Sequence, residues 1–157
     1  MAEIERKWLV PDPPADLSAF PSKEIDQGYL AIDRDGTEVR VRRADGDATM
    51  TIKQGAGRTR EEEEFAIPGD RFERLWPLTE ARRVRKRRHL IPGPGDLTFE
   101  LDRYRADLEG LNVVEVEFPD ARSAESFQAP EWFGREITDD ARYKNQALAT
   151  SHGIPDL

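Results

Sequence analysis

The chain has 157 residues, a length that suits one compact domain, and carries 32 acidic against 24 basic residues for a net charge of −8. Charged residues make up 36% of it, against about 25% in an ordinary soluble domain, yet seven Phe, three Trp and three Tyr with regular apolar alternation argue against disorder. There is no Cys for disulfides, thiolate metal sites or a Cys nucleophile, and two His cannot build a multi-His zinc site. No apolar run reaches the ~18 residues of a membrane span, and the acidic balance argues against wrapping long nucleic acid.

Eight segments alternate with period two and are predicted as strands: Glu3–Val10, Ile25–Asp33, Thr37–Arg43, Ala48–Lys53, Thr59–Ile67, Arg82–Ile91, Asp96–Tyr104 and Asn112–Phe118. Asp35-Gly36, Asp45-Gly46, Gln54-Gly55-Ala56-Gly57 and Pro92-Gly93-Pro94-Gly95-Asp96 read as turns between them. One helical turn is expected at Asp16–Phe20 inside a Pro-rich connection. A helix capped by Asp70 carries Phe72, Leu75 and Trp76 on one face, and a second, weaker one covers Ser123–Phe127. A third starts at Thr138 or Asp139 and stops at Gly153 and Pro155. The fold class is α+β, mainly β. Eight sequential antiparallel strands are expected to close into a barrel, in a single domain over 1–157, with the helices packed outside. The acidic N-terminal start has no signal-peptide core, so the expected location is cytoplasmic.

Sorting each strand by parity gives a charged face and an apolar one. Glu3, Glu5 and Lys7 oppose Ile4, Arg6 and Trp8. Arg40 and Arg42 oppose Val39 and Val41, and Thr51 and Lys53 oppose Met50 and Ile52. Glu100 and Asp102 oppose Phe99 and Leu101, and Glu115 and Glu117 oppose Val114, Val116 and Phe118. Such faces can simply meet water, but here the signs segregate by strand. Carboxylates two apart on a strand lie ~6.7 Å from each other, a repulsion of about 2.5 kcal/mol at an effective dielectric near 20. Glu3/Glu5, Glu100/Asp102 and Glu115/Glu117 therefore ask for cations, from neighbouring strands or from a divalent metal. The 24 basic residues include only five Lys, and three of these, Lys7, Lys53 and Lys86, fall on the charged faces. A compact ammonium there suits phosphate. A basic wall and an acidic wall together fit a polyphosphate anion that arrives with a hard, oxygen-ligated cation, Mg²⁺ or Mn²⁺.

The ordered set of these motifs resembles the CYTH superfamily, the triphosphate tunnel metalloenzymes. The resemblance begins with the ExExK pattern Glu3-Ile4-Glu5-Arg6-Lys7. It continues through Glu38-Val39-Arg40-Val41-Arg42, Thr51-Ile52-Lys53, Arg60–Glu64, Val84-Arg85-Lys86-Arg87-Arg88, Glu100-Leu101-Asp102 and Glu115-Val116-Glu117. It ends in Gly134–Thr138 and Arg142–Asn145. It implies an eight-stranded tunnel and metal-dependent hydrolysis of triphosphates, most closely inorganic tripolyphosphate to pyrophosphate and phosphate. Adenylate cyclase or thiamine triphosphatase activity on the same scaffold, or a non-catalytic polyphosphate-binding module, are the alternatives. It also implies roles. Metal would be held by Glu3, Glu5, Glu115 and Glu117, helped by Glu100 or Asp102, with Glu62 and Glu64 added on the inner face. Phosphate would be bound by Lys7, Arg40, Arg42, Lys53, Arg60, Lys86 and Arg88, and the catalytic set would be Glu5, Lys7 and Lys86. The partner is a small-molecule triphosphate, with no long nucleic acid and no membrane; a homodimer stays open.

Two registers rest on less. Glu62 and Glu64 are placed inside because Phe65 and Ile67 share parity with Glu61 and Glu63. Lys86 and Arg88 follow the family pattern, because the run Arg82–Arg88 is almost uniformly basic. His89 reads as an exposed strand residue and His152 as a helix C-terminal cation. Trp8, Trp76 and Trp132 read as packing residues, and Tyr143 as an anchor for the last helix.

Overall fold

The computed structural model describes residues 4–55 and 61–155, so the expectations placed on Glu3 and Arg60 fall outside the described residues. All eight predicted segments carry strands: β1 (Ile4–Leu9), β2 (Ser22–Ile32), β3 (Glu38–Ala44), β4 (Asp47–Gln54), β5 (Glu61–Ile67), β6 (Arg83–Pro92), β7 (Thr98–Tyr104) and β8 (Asn112–Phe118). They form an eight-stranded antiparallel sheet in the order β1-β8-β7-β6-β2-β3-β4-β5. The helices are short: α1 (Gly69–Leu75), α2 (Ala121–Ser126) and α3 (Asn145–Ser151), with single 3₁₀ turns such as Leu17–Ala19. Among the described residues no helix is long and apolar enough to cross a membrane.

Of the expected fold, the eight-stranded antiparallel sheet is present; among the described residues its strand order begins at β1 and ends at β5. On the outer edge of β1 the backbone groups of Lys7 and Leu9 are already used, since Leu9 N–H donates to Arg135 O (2.9 Å), Gly134 N–H to Leu9 O (2.6 Å) and Ile137 N–H to Lys7 O (2.8 Å).

The chain divides into two compact units. One is the chain up to Lys23 with Lys86–Ala141, and the other is Glu24–Arg85 with the chain from Arg142 onward. In the first, the apolar faces of β1, β7 and β8 build a core of Trp8, Val10, Phe99, Leu101, Val114, Val116 and Phe118. Phe127, Trp132 and Phe133 pack onto it, Trp8 and Phe133 with ring centroids 4.9 Å apart. In the second, α1 lays the fully buried Phe72 on Val41 and Ala48. Trp76 stacks on Phe72 at 5.3 Å, and Arg43 caps the same ring at 4.6 Å. Within each unit the core lies on the strand faces opposite that unit's own charged row, as parity requires.

The helix ends differ from expectation in ways the hydrogen bonds explain. Pro68 rather than Asp70 holds the N-cap position of α1, and Asp70 in the first turn pairs with Arg74 one turn on. Asp120 caps α2, accepting from Ser123 N–H at 2.7 Å, so that helix starts earlier than predicted. The last helix starts at Asn145 rather than at Thr138 or Asp139, because the Thr138 hydroxyl is used by β1, where it accepts from Lys7 N–H at 3.0 Å. Tyr143 is buried and donates its hydroxyl proton to Pro155 O (3.0 Å), and His152 ends α3 in the left-handed conformation.

His89 corrects another expectation. It pairs with Leu101 on the core face of β6, is only 4% exposed, and neither ring nitrogen has a hydrogen-bond partner. Burial, then the charges of Arg103 and Arg87, push its pKa below the usual imidazole value. The native state therefore refuses a proton that the unfolded chain accepts near pH 6.5, and stability is lost as pH falls through that value. The expected result is that His89→Leu gains melting temperature over the wild type, by a margin that widens between pH 7.5 and pH 5.5. A margin constant across that range would show that His89 is charged in the fold or not buried.

Candidate functional site: two charged faces and a carboxylate cluster

In the first unit the register aligns the charged parities of four strands. Glu5 stands opposite Glu117 and Lys7 opposite Glu115. Glu115 in turn faces Glu100 across β7, and Asp102 faces Arg88 and Tyr104 faces Lys86 across β6. The alternation of Glu-x-Glu on β8 and Glu-x-Asp on β7 puts every one of these carboxylates on the same side.

Glu5, Glu115 and Glu117 bring one carboxylate oxygen each to within 4.8 Å of one another, the group among the described residues able to hold a metal ion. Crowding shows in the protonation. Burial, then the hydrogen bond and the charge of Glu5, push the Glu115 carboxyl up to about 7, while Lys7 and Arg88 pull it the other way. A buried carboxyl whose ionised form is disfavoured beside a second carboxylate would be relieved by a bound cation. The donor set is all oxygen, the kind that hard divalent cations take.

Asp102 behaves differently. It is 3% exposed, and its two oxygens are engaged by cations: Lys86 Nζ at 2.8 Å from Oδ2, Arg88 Nε at 2.8 Å from Oδ1 and Arg88 Nη2 at 2.9 Å from Oδ2. Burial would raise its pKa, but the charge of Lys86 and the bonds and charge of Arg88 outweigh it and hold it at about 2. Arg88 also gives Nη1 to Glu100 at 3.0 Å. Lys86, itself 3% exposed, lies 5.3 Å from the Tyr104 ring centroid. Asp102 and Glu100 are thus tied to Lys86 and Arg88, whereas Glu5, Glu115 and Glu117 lie together as a carboxylate cluster.

The second unit carries the other charged rows. Arg40 faces Tyr29 and Thr51, Arg42 faces Gln27 and Thr49, and Lys53 faces Glu38. On β5 the register sets Glu62 opposite Lys53 and Glu64 opposite Thr51, leaving Glu63 and Phe65 beside Ile52 and Met50. Lys53 Nζ lies 3.8 Å from Glu62, and Thr51 donates to Glu64 at 2.9 Å. Glu62 is half exposed. The buried Glu38 carboxylate accepts from Arg40 at 3.4 Å.

Sequence reasoning passed over Gln27, Tyr29 and Tyr104 as parts of these faces, and quoted Glu38 without giving it a role. Gln27 and Tyr29 are buried, and Gln27 Nε2 donates to the Tyr29 hydroxyl at 2.8 Å. Their i, i+2 spacing with polar termini on the Arg40–Arg42 side of the sheet was the available signal.

The CYTH domain family matches residues 1–150 of the chain. An inorganic triphosphatase from Nitrosomonas europaea is 45% identical over 152 residues, covering 96% of this chain and 99% of the relative. One from Acetivibrio thermocellus is 36% identical over 148 residues, covering 93% and 92%. Among solved structures, that of the inorganic triphosphatase NE1496 superposes with a TM-score of 0.82 at 41% identity, covering 99% of this chain and 98% of the other.

Proposed function

The chain belongs to the CYTH domain family, and from that premise we propose that it is a metal-dependent hydrolase that cleaves inorganic tripolyphosphate with water into pyrophosphate and phosphate. Two relatives named inorganic triphosphatase, alike over almost their whole length, support triphosphate hydrolysis. The observation that carries the metal dependence is the oxygen cluster of Glu5, Glu115 and Glu117. A pure anion binder would lose affinity by keeping three crowded carboxylates beside its cations.

Glu5, Glu115 and Glu117 would hold Mg²⁺ or Mn²⁺, and the bound ion would draw charge from the phosphate oxygens and the leaving group. The other parts of the reading belong to this chain's own side chains. Lys7, beside Glu115 in the register, supplies a positive charge next to the ion site. Arg40, Arg42 and Lys53 bind phosphate oxygens through charge-assisted hydrogen bonds. Lys86 and Arg88 are held in place by Asp102 and add to the positive field. Glu62 and Glu64 restrain Lys53 and Thr51 rather than bind the first ion.

Phosphate release from tripolyphosphate should require Mg²⁺ or Mn²⁺ and should vanish on exhaustive chelation, returning when the metal is restored. Zn²⁺ should serve poorly. Full activity in the presence of excess chelator would overturn the metal site. Release of cyclic AMP from ATP, without phosphate release from tripolyphosphate, would move the assignment to a cyclase on the same scaffold.

A further inference from the structure

The outer edge of β1 is occupied by its own chain. Residues 134–138 run along it like a partial strand, bonded at Leu9 N–H, Leu9 O and Lys7 O through the three backbone contacts given above. Glycine permits this approach: a Cβ on Gly134 would lie 2.9 Å from Leu9 O and 2.8 Å from Pro11 Cδ. The fourth contact is made by a side chain, with Lys7 N–H donating to Thr138 Oγ1 at 3.0 Å.

That hydroxyl passes its own proton to Glu136 Oε2 at 2.6 Å. The same carboxylate accepts a two-pronged bond from Arg6, Nε at 2.9 Å and Nη2 at 2.7 Å, while Arg6 Nη1 donates to Ala124 O at 2.6 Å. The hydrogen bonds thus close a ring from the Lys7 amide through Thr138 and Glu136 back to the Arg6 side chain. The peptide inside that ring joins Arg6 to Lys7. On the opposite face of the strand, the neighbours of Arg6 are Glu5 and Lys7. β1 lies at the end of the sheet order with β8 as its partner strand, so without this strap one side alone would set its height and register. Reactive groups need placement to well under an ångström.

We infer that Thr138 and Glu136 are positioning residues which, through Arg6 and the Lys7 amide, hold the β1 backbone so that Glu5 and Lys7 meet Glu115 and Glu117 in a productive arrangement. The inference rests on the triphosphatase reading, and it extends the reaction's requirements to a surface loop that touches neither ion nor substrate.

Thr138→Val keeps the shape and removes both the acceptor and the donor, and Thr138→Ser keeps both. Glu136→Gln keeps the size and weakens the fork. Three readouts on the full chain separate positioning from mere stability: hydrogen exchange of the Lys7 amide, Mn²⁺ binding followed by its paramagnetic resonance signal, and kcat and KM for tripolyphosphate with Mg²⁺. In Thr138→Val the Lys7 amide should exchange at least about 10-fold faster and the Mn²⁺ dissociation constant should rise about 10-fold. kcat should fall more than KM changes, and Thr138→Ser should recover all three. Glu136→Gln should shift Mn²⁺ binding in the same direction, and it carries the test if Thr138→Val fails to fold. Unchanged Mn²⁺ binding and kcat in the folded variants would overturn the positioning role, as would a Lys7 amide that keeps its wild-type protection in Thr138→Val. A wild-type chain that releases no phosphate from tripolyphosphate would overturn the function itself, a result distinct from wild-type turnover persisting in the variants.

Discussion

Glu5→Gln and Glu117→Gln are expected to lower metal-dependent turnover by about 10²–10³-fold or more, since positioning and charge stabilisation of the transferred phosphoryl group depend on the ion. Glu5→Gln should also make the metal-free protein more stable. The sign follows from Glu115. Its folded pKa is raised to about 7, first by burial and then by Glu5. The favourable contribution of its protonated form is therefore present below the unfolded value and is lost as pH rises through about 7. Gln at position 5 removes the neighbouring charge, so the metal-free variant should melt above the wild type at pH 8, with little difference at pH 5. Melting curves and phosphate release on the same preparations, with and without Mg²⁺, check both halves. If these carboxylates merely coated a solvated surface, stability would stay within about 0.5 kcal/mol and activity would not change. Near wild-type turnover in both variants would remove the metal site and leave a polyphosphate-binding module as the better account.

The parity of the strands was legible because contrast was high. Trp8, Val114, Val116 and Phe118 alternate with Lys7, Glu115 and Glu117, and a slip of one residue would put the charges in the aromatic core. Phe65 did the same for the acidic run on β5, where its pairing with Met50 sets Glu62 and Glu64 beside Lys53 and Thr51. On β6 the contrast fails. Arg85, Lys86, Arg87 and Arg88 offer no apolar marker, and the next residue, His89, is polar in name and buried in fact. Only the cross-strand partners Leu101 and Asp102 decide which side each residue takes.

What the sequence could not carry is pairing across long separations. That Asp102 answers Lys86 and Arg88 requires the register of β6 on β7, which no single strand encodes. The cover on β1 has a similar cause: the segment from Gly134 to Thr138 lacks alternation and does not read as a strand, although its backbone claims the edge of β1. The hydroxyl of Thr138 looked like a helix cap because Thr before a helical pattern usually is one. A partner 131 positions away in the chain took it instead.

Asp102→Asn should move stability the opposite way from Glu5→Gln, although both remove one negative charge from the same face. Glu5 sits among carboxylates, whereas Asp102 sits between Lys86 and Arg88 with both oxygens in use. An asparagine of nearly the same shape would leave two buried cations facing each other with one neutral acceptor, and stranding a buried charge costs about 3–5 kcal/mol. For a chain of this length that corresponds to a fall of roughly 10 °C in melting temperature. The linkage adds a second signature. The pKa of Asp102 is depressed to about 2 in the fold, so its contribution is complete above the unfolded value near 3.8 and is lost as pH falls through about 2. The gap between wild type and variant should therefore hold steady from pH 8 to about pH 5 and narrow only in strong acid. Adding Lys86→Met to Asp102→Asn removes one stranded cation and should recover part of the loss, a coupling that a double-mutant cycle isolates. A single variant that melts with the wild type, or a gap that closes near neutral pH, would mean that Asp102 is free of these cations and available to a metal ion, as the family resemblance implied.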